Sequence, residues 1–138
     1  MQLRALFGFL GWVTVICFGI AISNYFVKVI NKKYISKLGK EKKQIVDLYR
    51  KLMKIIIKYH KLAGTIAIFT VLTHFIIAFS SGRISITGII AASFMIIIFF
   101  LGVYGAFINK NRNRKAMWLK VHRVMAFVLL LAIVIHVI

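Results

Sequence analysis

Long apolar stretches separated by charged connections dominate the chain. Four of these stretches reach the roughly 20 residues that a helix needs to cross the hydrocarbon core of a bilayer. They cover residues 6–30, 55–79, 86–108 and 116–138. The first exceeds the short apolar core of a cleavable signal peptide, so we interpret it as a retained helix. The pattern predicts an all-α fold, an integral membrane four-helix bundle that forms a single domain over residues 1–138.

A basic amphipathic segment precedes the second predicted span. Between residues 41 and 61, apolar side chains recur at helical spacing, and lysines and arginines fill much of the rest. A helix that binds a partner protein or nucleic acid would show a similar pattern in isolation. Because this segment runs directly into a span, we predict an interfacial helix that contacts lipid headgroups and then turns inward.

Composition and charge exclude an ordinary soluble domain. The apolar fraction is 62%, with 20 Lys and Arg against 2 acids, a net charge of +18 and no proline. Soluble domains have an apolar fraction of about 45–50%. The mean hydropathy of +0.92 favours a membrane protein over a nucleic-acid-binding protein.

The basic residues also predict the topology. Twelve lie between Lys28 and Lys61 and six between Lys110 and Arg123, whereas only Arg4 and Arg83 fall on the other side. Cytoplasmic loops are enriched in Lys and Arg. We therefore predict a protein of the cytoplasmic membrane, with both basic connections in the cytoplasm and both termini outside.

Four histidines carry the candidate chemistry. His60 and His74 lie in the second span, His122 and His136 lie in the fourth, and the members of each pair are 14 residues apart. Fourteen residues are nearly four helical turns, so each pair shares one helix face with about 21 Å between its members. Ionisable side chains inside spans are costly and commonly functional. Because the two spans run in the same direction, His60 is predicted to meet His122 near the cytoplasmic face, and His74 to meet His136 near the outer face.

Two facing imidazoles are typical axial ligands of non-covalent haem. The pattern therefore predicts two b-type haems, an inner one held by His60 and His122 and an outer one held by His74 and His136. A zinc or copper site needs three or four converging ligands, which the separation of about 21 Å forbids. The single cysteine, Cys17, excludes both an intrachain disulfide and two-cysteine attachment of haem. With both axial positions filled, no catalytic residue is predicted.

Residues near the histidines complete the predicted cofactor site. Gly64 and Ala126 are small side chains beside the inner ligands, where a flat ring could approach the backbone. Lys61 and Arg123 adjoin the inner ligands and could pair with haem propionates or with lipid phosphates. Arg83 is the basic residue in the turn nearest the outer haem. Several other glycines are interpreted as helix-packing residues: Gly8, Gly11, Gly19, Gly102 and Gly105.

The histidine pairs, together with the run from Trp118 to Arg123, resemble the ferric reductase-like transmembrane domain. The resemblance covers about residues 55–138, and other two-haem membrane cytochromes b use the same ligand arrangement. It implies transmembrane electron transfer from a cytoplasmic-side donor to an acceptor on the outer side. The chain departs from larger members because it has four spans rather than about six and no flavin- or nucleotide-binding domain. A separate flavoprotein or a quinol is therefore expected as the donor.

The sequence thus predicts the electron-transfer component of an oxidoreductase rather than a complete enzyme. One alternative is the haem-bearing membrane anchor of a quinol-linked oxidoreductase, which would need a quinone pocket as well as the same ligands. Another alternative is a non-redox membrane scaffold or transporter subunit whose histidines are incidental.

Overall fold

Four α-helices form the protein in the computed structural model, which describes residues 2–108 and 116–138, except for the side chains of residues 2–4 and 40. The helices are α1 (Gln2–Lys33), α2 (Lys43–Ser80), α3 (Ile86–Val103) and α4 (Met117–Val137). All four are long and apolar enough to cross a membrane. The predicted all-α, four-helix membrane fold is confirmed. Four of the predicted topological charges, Lys110, Arg112, Arg114 and Lys115, lie outside the described residues.

The basic amphipathic segment is present as the first part of α2 itself. α2 runs without interruption for 38 residues from Lys43 to Ser80, a length of about 57 Å at 1.5 Å per residue. No glycine or proline occurs between Lys43 and Ala63 to break the helix. The expected turn between an interfacial helix and a separate span is therefore absent, and the segment continues the axis of the span.

α1 and α2 pack antiparallel along their length. Near the end of the bundle where α1 ends and α2 begins, the Tyr49 hydroxyl donates a hydrogen bond of 2.9 Å to the Val27 carbonyl. Near mid-helix, Thr14 Oγ1 and Thr70 Oγ1 are hydrogen-bonded at 2.8 Å. α3 packs mainly on α4, and α2 also contacts α3. Among the described residues, the two helices that carry the histidines, α2 and α4, do not pack closely against each other.

The core lies at the level midway between the two histidine pairs. Leu129 is fully buried and Ala67 is 1% exposed, and each lies seven residues from both histidines of its helix. The remaining core residues come from three helices: Phe18, Ile68, Ala91 and Met95. Small side chains such as Ala67 and Ala91 allow helices in a membrane to approach closely. A packed layer therefore separates the two histidine levels.

A tight turn and a serine cap define where α3 begins. The turn joins α3 to α2, and Gly82 in it adopts a φ of +64°, which favours glycine. Ser85 then caps α3, its hydroxyl accepting a hydrogen bond from the Gly88 amide at 3.1 Å. At its other end, α3 passes into a π-helical segment, Tyr104–Ile108. Such segments are rare and frequently occur at functional sites.

Candidate functional site

The structure brings the four histidines together as two pairs across α2 and α4. The rings of His60 and His122 lie with their centroids 6.5 Å apart and their planes at 76°. Two imidazoles on opposite sides of one metal ion, each with a metal–nitrogen bond of about 2 Å, have centroids roughly 6 Å apart. The spacing of His60 and His122 therefore suits one shared metal centre. All four histidines are half-buried.

A backbone carbonyl of α1 orients His60. The Nδ1 atom of His60 lies 2.9 Å from the Ala21 carbonyl oxygen. A carbonyl oxygen can only accept, so this contact requires a proton on Nδ1 and leaves Nε2 with its lone pair. Metal-binding histidines commonly donate their other ring nitrogen in this way. His122, which faces His60, differs. Its Nδ1 atom is buried and has no hydrogen-bond partner of ordinary geometry among the described residues.

His74 is held by the same kind of contact one level away. Its Nδ1 atom lies 3.0 Å from the Phe7 carbonyl oxygen, and the Phe7 ring stacks on the imidazole with 4.0 Å between centroids. Phe7 and Ala21 are 14 residues apart, as are the histidines that they contact. The antiparallel packing of α1 on α2 therefore repeats one contact at two levels and leaves Nε2 of both histidines available.

His136 is held by side chains of α3 instead. Its Nδ1 atom lies 3.1 Å from the Thr87 hydroxyl and 3.3 Å from the Ser85 hydroxyl. A hydroxyl can donate or accept, so these contacts do not fix the tautomer. The side chain of His136 is nevertheless placed by two polar groups at the first turn of α3.

Glycines create the space into which three of the histidines fit. A Cβ atom at Gly88 would lie 2.9 Å from His136 Cε1, and a Cβ atom at Gly11 would lie 3.3 Å from His74 Cε1. At Gly102 the corresponding distance to His122 Cε1 is 3.5 Å, an ordinary contact. Gly88 and Gly102 are themselves 14 residues apart, so α3 repeats the spacing of the histidines that it faces.

His74 and His136 both line a cavity of about 500 Å³ between the two helical hairpins. The lining is mainly apolar and includes Phe7, Trp12 and Leu129, and Arg83 reaches the same cavity from the turn. Ligand pockets in proteins typically measure about 300–1,000 Å³ and are lined mainly by apolar groups with a few polar ones. The predicted outer site therefore has two imidazoles at one cavity and room for a cofactor.

The remaining predicted site residues differ in how closely they adjoin the histidines. A Cβ atom at Gly64 would meet nothing within 4 Å, and Ala126 is half-buried. The Lys61 ammonium lies 6.0 Å from the centre of the Phe107 ring, and the Arg123 guanidinium lies 5.7 Å from that of Tyr25. Both cations therefore lie over aromatic rings beside the inner pair, and their predicted role toward propionates stays a prediction.

Sequence reasoning missed the supports that α1 and α3 provide. The carbonyls of Phe7 and Ala21 have no sequence signature, because every residue carries a carbonyl group. Gly88 and Gly102 did leave a signal, since they repeat the 14-residue spacing of the histidines. Gly11 and Gly102, interpreted as helix-packing residues, prove to face ligand candidates directly.

The donor set fits a cofactor that needs two axial ligands. Among the described residues, His, Cys, Asp and Glu form no group of three or more that could hold an ion by themselves. His60 and His122 have 6.5 Å between their ring centroids, and Nδ1 of His60 is turned toward α1. His74 and His136 line one cavity at the other level, and Nδ1 of His74 is also turned toward α1. Each level thus meets part of what a bis-histidine haem site needs. Comparison of the chain with protein-family models, with curated proteins and with solved structures gives no match.

Proposed function

We propose that the protein is a membrane cytochrome b that transfers electrons through two non-covalent b-type haems. In this proposal, His60 and His122 would hold the inner haem iron, and His74 and His136 would hold the outer haem iron. The observation that carries this proposal is the paired geometry: two histidine pairs at one spacing, of which the inner pair has ring centroids 6.5 Å apart.

The chain's own residues orient the histidines. The carbonyls of Ala21 and Phe7 hold a proton on Nδ1 of His60 and His74, so that Nε2 is the ligating atom. Thr87 and Ser85 position His136. A haem with two histidine ligands takes up and releases single electrons and has no open position for substrate. The proposed activity is therefore electron transfer.

The proposed orientation in the membrane rests on the charge distribution. Lys and Arg are concentrated between Lys28 and Lys61, which favours the cytoplasm for this end of the bundle. The resemblance to the ferric reductase-like domain adds the donor, a cytoplasmic flavoprotein or a quinol, and an acceptor on the outer side. Lys61 and Arg123, next to the inner ligands, provide positive charge that suits haem propionates.

A reduced-minus-oxidised spectrum with haem quantification tests the proposal. Purified protein should contain two b-type haems per chain, and His74→Ala or His136→Ala should each lower this to about one. Thr73→Ala is the matched control, because Thr73 adjoins His74 and its hydroxyl bonds within its own helix, to the Phe69 carbonyl. Absence of a b-type spectrum, or a spectrum of both histidine variants that is unchanged from that of the native chain, contradicts the proposal.

A further inference from the structure

The first part of α2 extends well beyond the membrane core. The hydrocarbon core is about 30 Å thick, which corresponds to the rise along the helix axis from His60 to Ser80 at 1.5 Å per residue. Lysines at positions 58 and 61 mark one boundary of this stretch and Arg83 follows the other. The 17 residues of α2 before His60 therefore project roughly 25 Å from that boundary. They remain attached to α1 through the Tyr49 hydrogen bond to Val27.

An apolar stripe runs along this projecting part of α2. Ile45, Leu48, Leu52 and Ile55 fall within one helix face, and they are 55%, 71%, 48% and 54% exposed. The face turned toward α1 is a different one and contains the half-buried Tyr49. The spacing of i, i+3, i+7 and i+10 is the one that a helix uses when it docks into a groove.

Lipid does not reach most of this apolar stripe. The headgroup layer adds roughly 5–8 Å on each side of the hydrocarbon core, whereas Leu48 lies about 18 Å and Ile45 about 22 Å along the axis from His60. Because α2 is unbroken from Lys43 to Ser80, the projecting part cannot lie flat on the surface while the rest spans the membrane. The stripe therefore faces water unless a protein covers it.

The positive charge around the stripe favours an acidic partner. Lys51 and Lys58 flank the stripe and are exposed, and residues 28–61 contain twelve basic residues and two acidic ones. A second copy of this chain would bring the same positive charge against the stripe and would be repelled. An acidic surface is attracted, which steers its approach.

We propose that Ile45, Leu48, Leu52 and Ile55 form the docking surface for an acidic, water-soluble electron-donor protein. The inference rests on the proposed function, which requires a donor on this side, and it selects a soluble protein over a quinol. The α1–α2 hairpin brings this donor to the end of the bundle where His60 and His122 lie.

Reduction of membrane vesicles tests this docking surface. Washed vesicles from the source cells, with the basic side outward, are mixed with the soluble fraction of the same cells and NADH, and haem reduction is followed in stopped flow. Leu48→Gln/Leu52→Gln should slow reduction by about tenfold or more, because buried apolar anchors dominate protein interfaces. The rate for the native chain should also fall with added salt. Tyr34→Gln is the matched control, since Tyr34 is 56% exposed in the connection between α1 and α2.

Two further measurements separate the other outcomes. Dithionite should reduce every variant fully, whereas absence of a dithionite-reducible b-type spectrum indicates failure of the proposed function itself. Reduction that is equally fast without the soluble fraction, or equally fast in the stripe variant and the control, overturns the docking surface. A nitroxide label at Leu48→Cys, in a Cys17→Ser background, should be accessible to a water-soluble relaxation agent. If anionic vesicles alone protect the label from this agent, the stripe contacts lipid, and the inference is likewise overturned.

Discussion

The α1–α2 and α3–α4 halves hold histidines at the same spacing by different means. In the first half, both Nδ1 atoms lie within 3.0 Å of a backbone carbonyl of α1. In the second half, hydroxyls of Ser85 and Thr87 contact His136, and His122 Nδ1 has no partner of ordinary geometry among the described residues. A backbone carbonyl cannot be removed by substituting a side chain. The hydrogen bonds that support His60 and His74 should therefore resist side-chain substitution, and those that support His136 should be sensitive to it.

Glycines of both halves face the histidines, at distances that differ from one glycine to the next. On α3, a Cβ atom at Gly88 would approach His136 to 2.9 Å, closer than carbon atoms normally come, whereas one at Gly102 would lie at 3.5 Å from His122. The value for Gly11 on α1, 3.3 Å from His74, is intermediate. The site thus contains a graded series of steric gaps, tightest at the turn end of α3.

The largest effect is expected for Gly88→Ala. The new methyl group must displace His136 or the Ser85 hydroxyl, which lies 3.0 Å from the Cβ position. Overpacking of this kind typically costs about 1–3 kcal/mol, roughly 5- to 150-fold in affinity for the proposed outer haem. The haem content of the purified protein should fall from two haems per chain toward one.

Gly102→Ala and Gly11→Ala provide the matched controls for Gly88→Ala. Gly102→Ala should retain two haems per chain, since its methyl group makes only an ordinary contact, and Gly11→Ala should give an intermediate loss of the outer haem. Equal haem content in all three variants would show that the glycine gaps do not position the histidines.

A smaller effect is expected for Thr87→Val, which removes the closer hydroxyl from His136 while keeping the shape of the side chain. Loss of such a supporting contact weakens metal-centre binding by about 10- to 100-fold. The lower end is expected, because Ser85 still lies 3.3 Å from Nδ1. Titration of the haem-free protein in nanodiscs measures the affinity. Thr73→Val, whose hydroxyl bonds only to Phe69, should leave it unchanged, and equal affinities for both variants would exclude a role for the Thr87 hydroxyl.

Much of the fold was predictable, because the length of an apolar stretch and the helical spacing of its residues are local properties of the sequence. The predicted spans 86–108 and 116–138 agree closely with α3, its π-helical extension and α4. The meeting of His60 with His122 followed from the direction of consecutive spans together with a spacing of nearly four turns. For α2, the amphipathic pattern was correctly recognised, but a run of residues without glycine or proline continued the helix past the point where a turn was expected.

The supports of the histidines were not predictable, because they depend on how α1 and α3 are rotated and shifted against their neighbours. The carbonyls of Phe7 and Ala21 are chemically identical to every other carbonyl of α1, so only the packing register selects them. The 14-residue repeat of Gly88 and Gly102 could have been noticed in the sequence, but without the structure nothing connects it to α4.

The smallest expected effect tests what fixes that register in the α1–α2 half. Thr14 lies midway between Phe7 and Ala21, is 6% exposed and bonds to Thr70 of α2. Thr14→Val keeps the volume and removes this bond, and side-chain hydrogen bonds inside membranes average about 0.6 kcal/mol. The free energy of unfolding in detergent should fall by about that amount, whereas Thr65→Val, an exposed threonine bonded within α2, should change it little. Because many contacts along α1 and α2 share the register, both variants should retain two haems; loss of haem from Thr14→Val alone would show that this one bond holds both carbonyls in place.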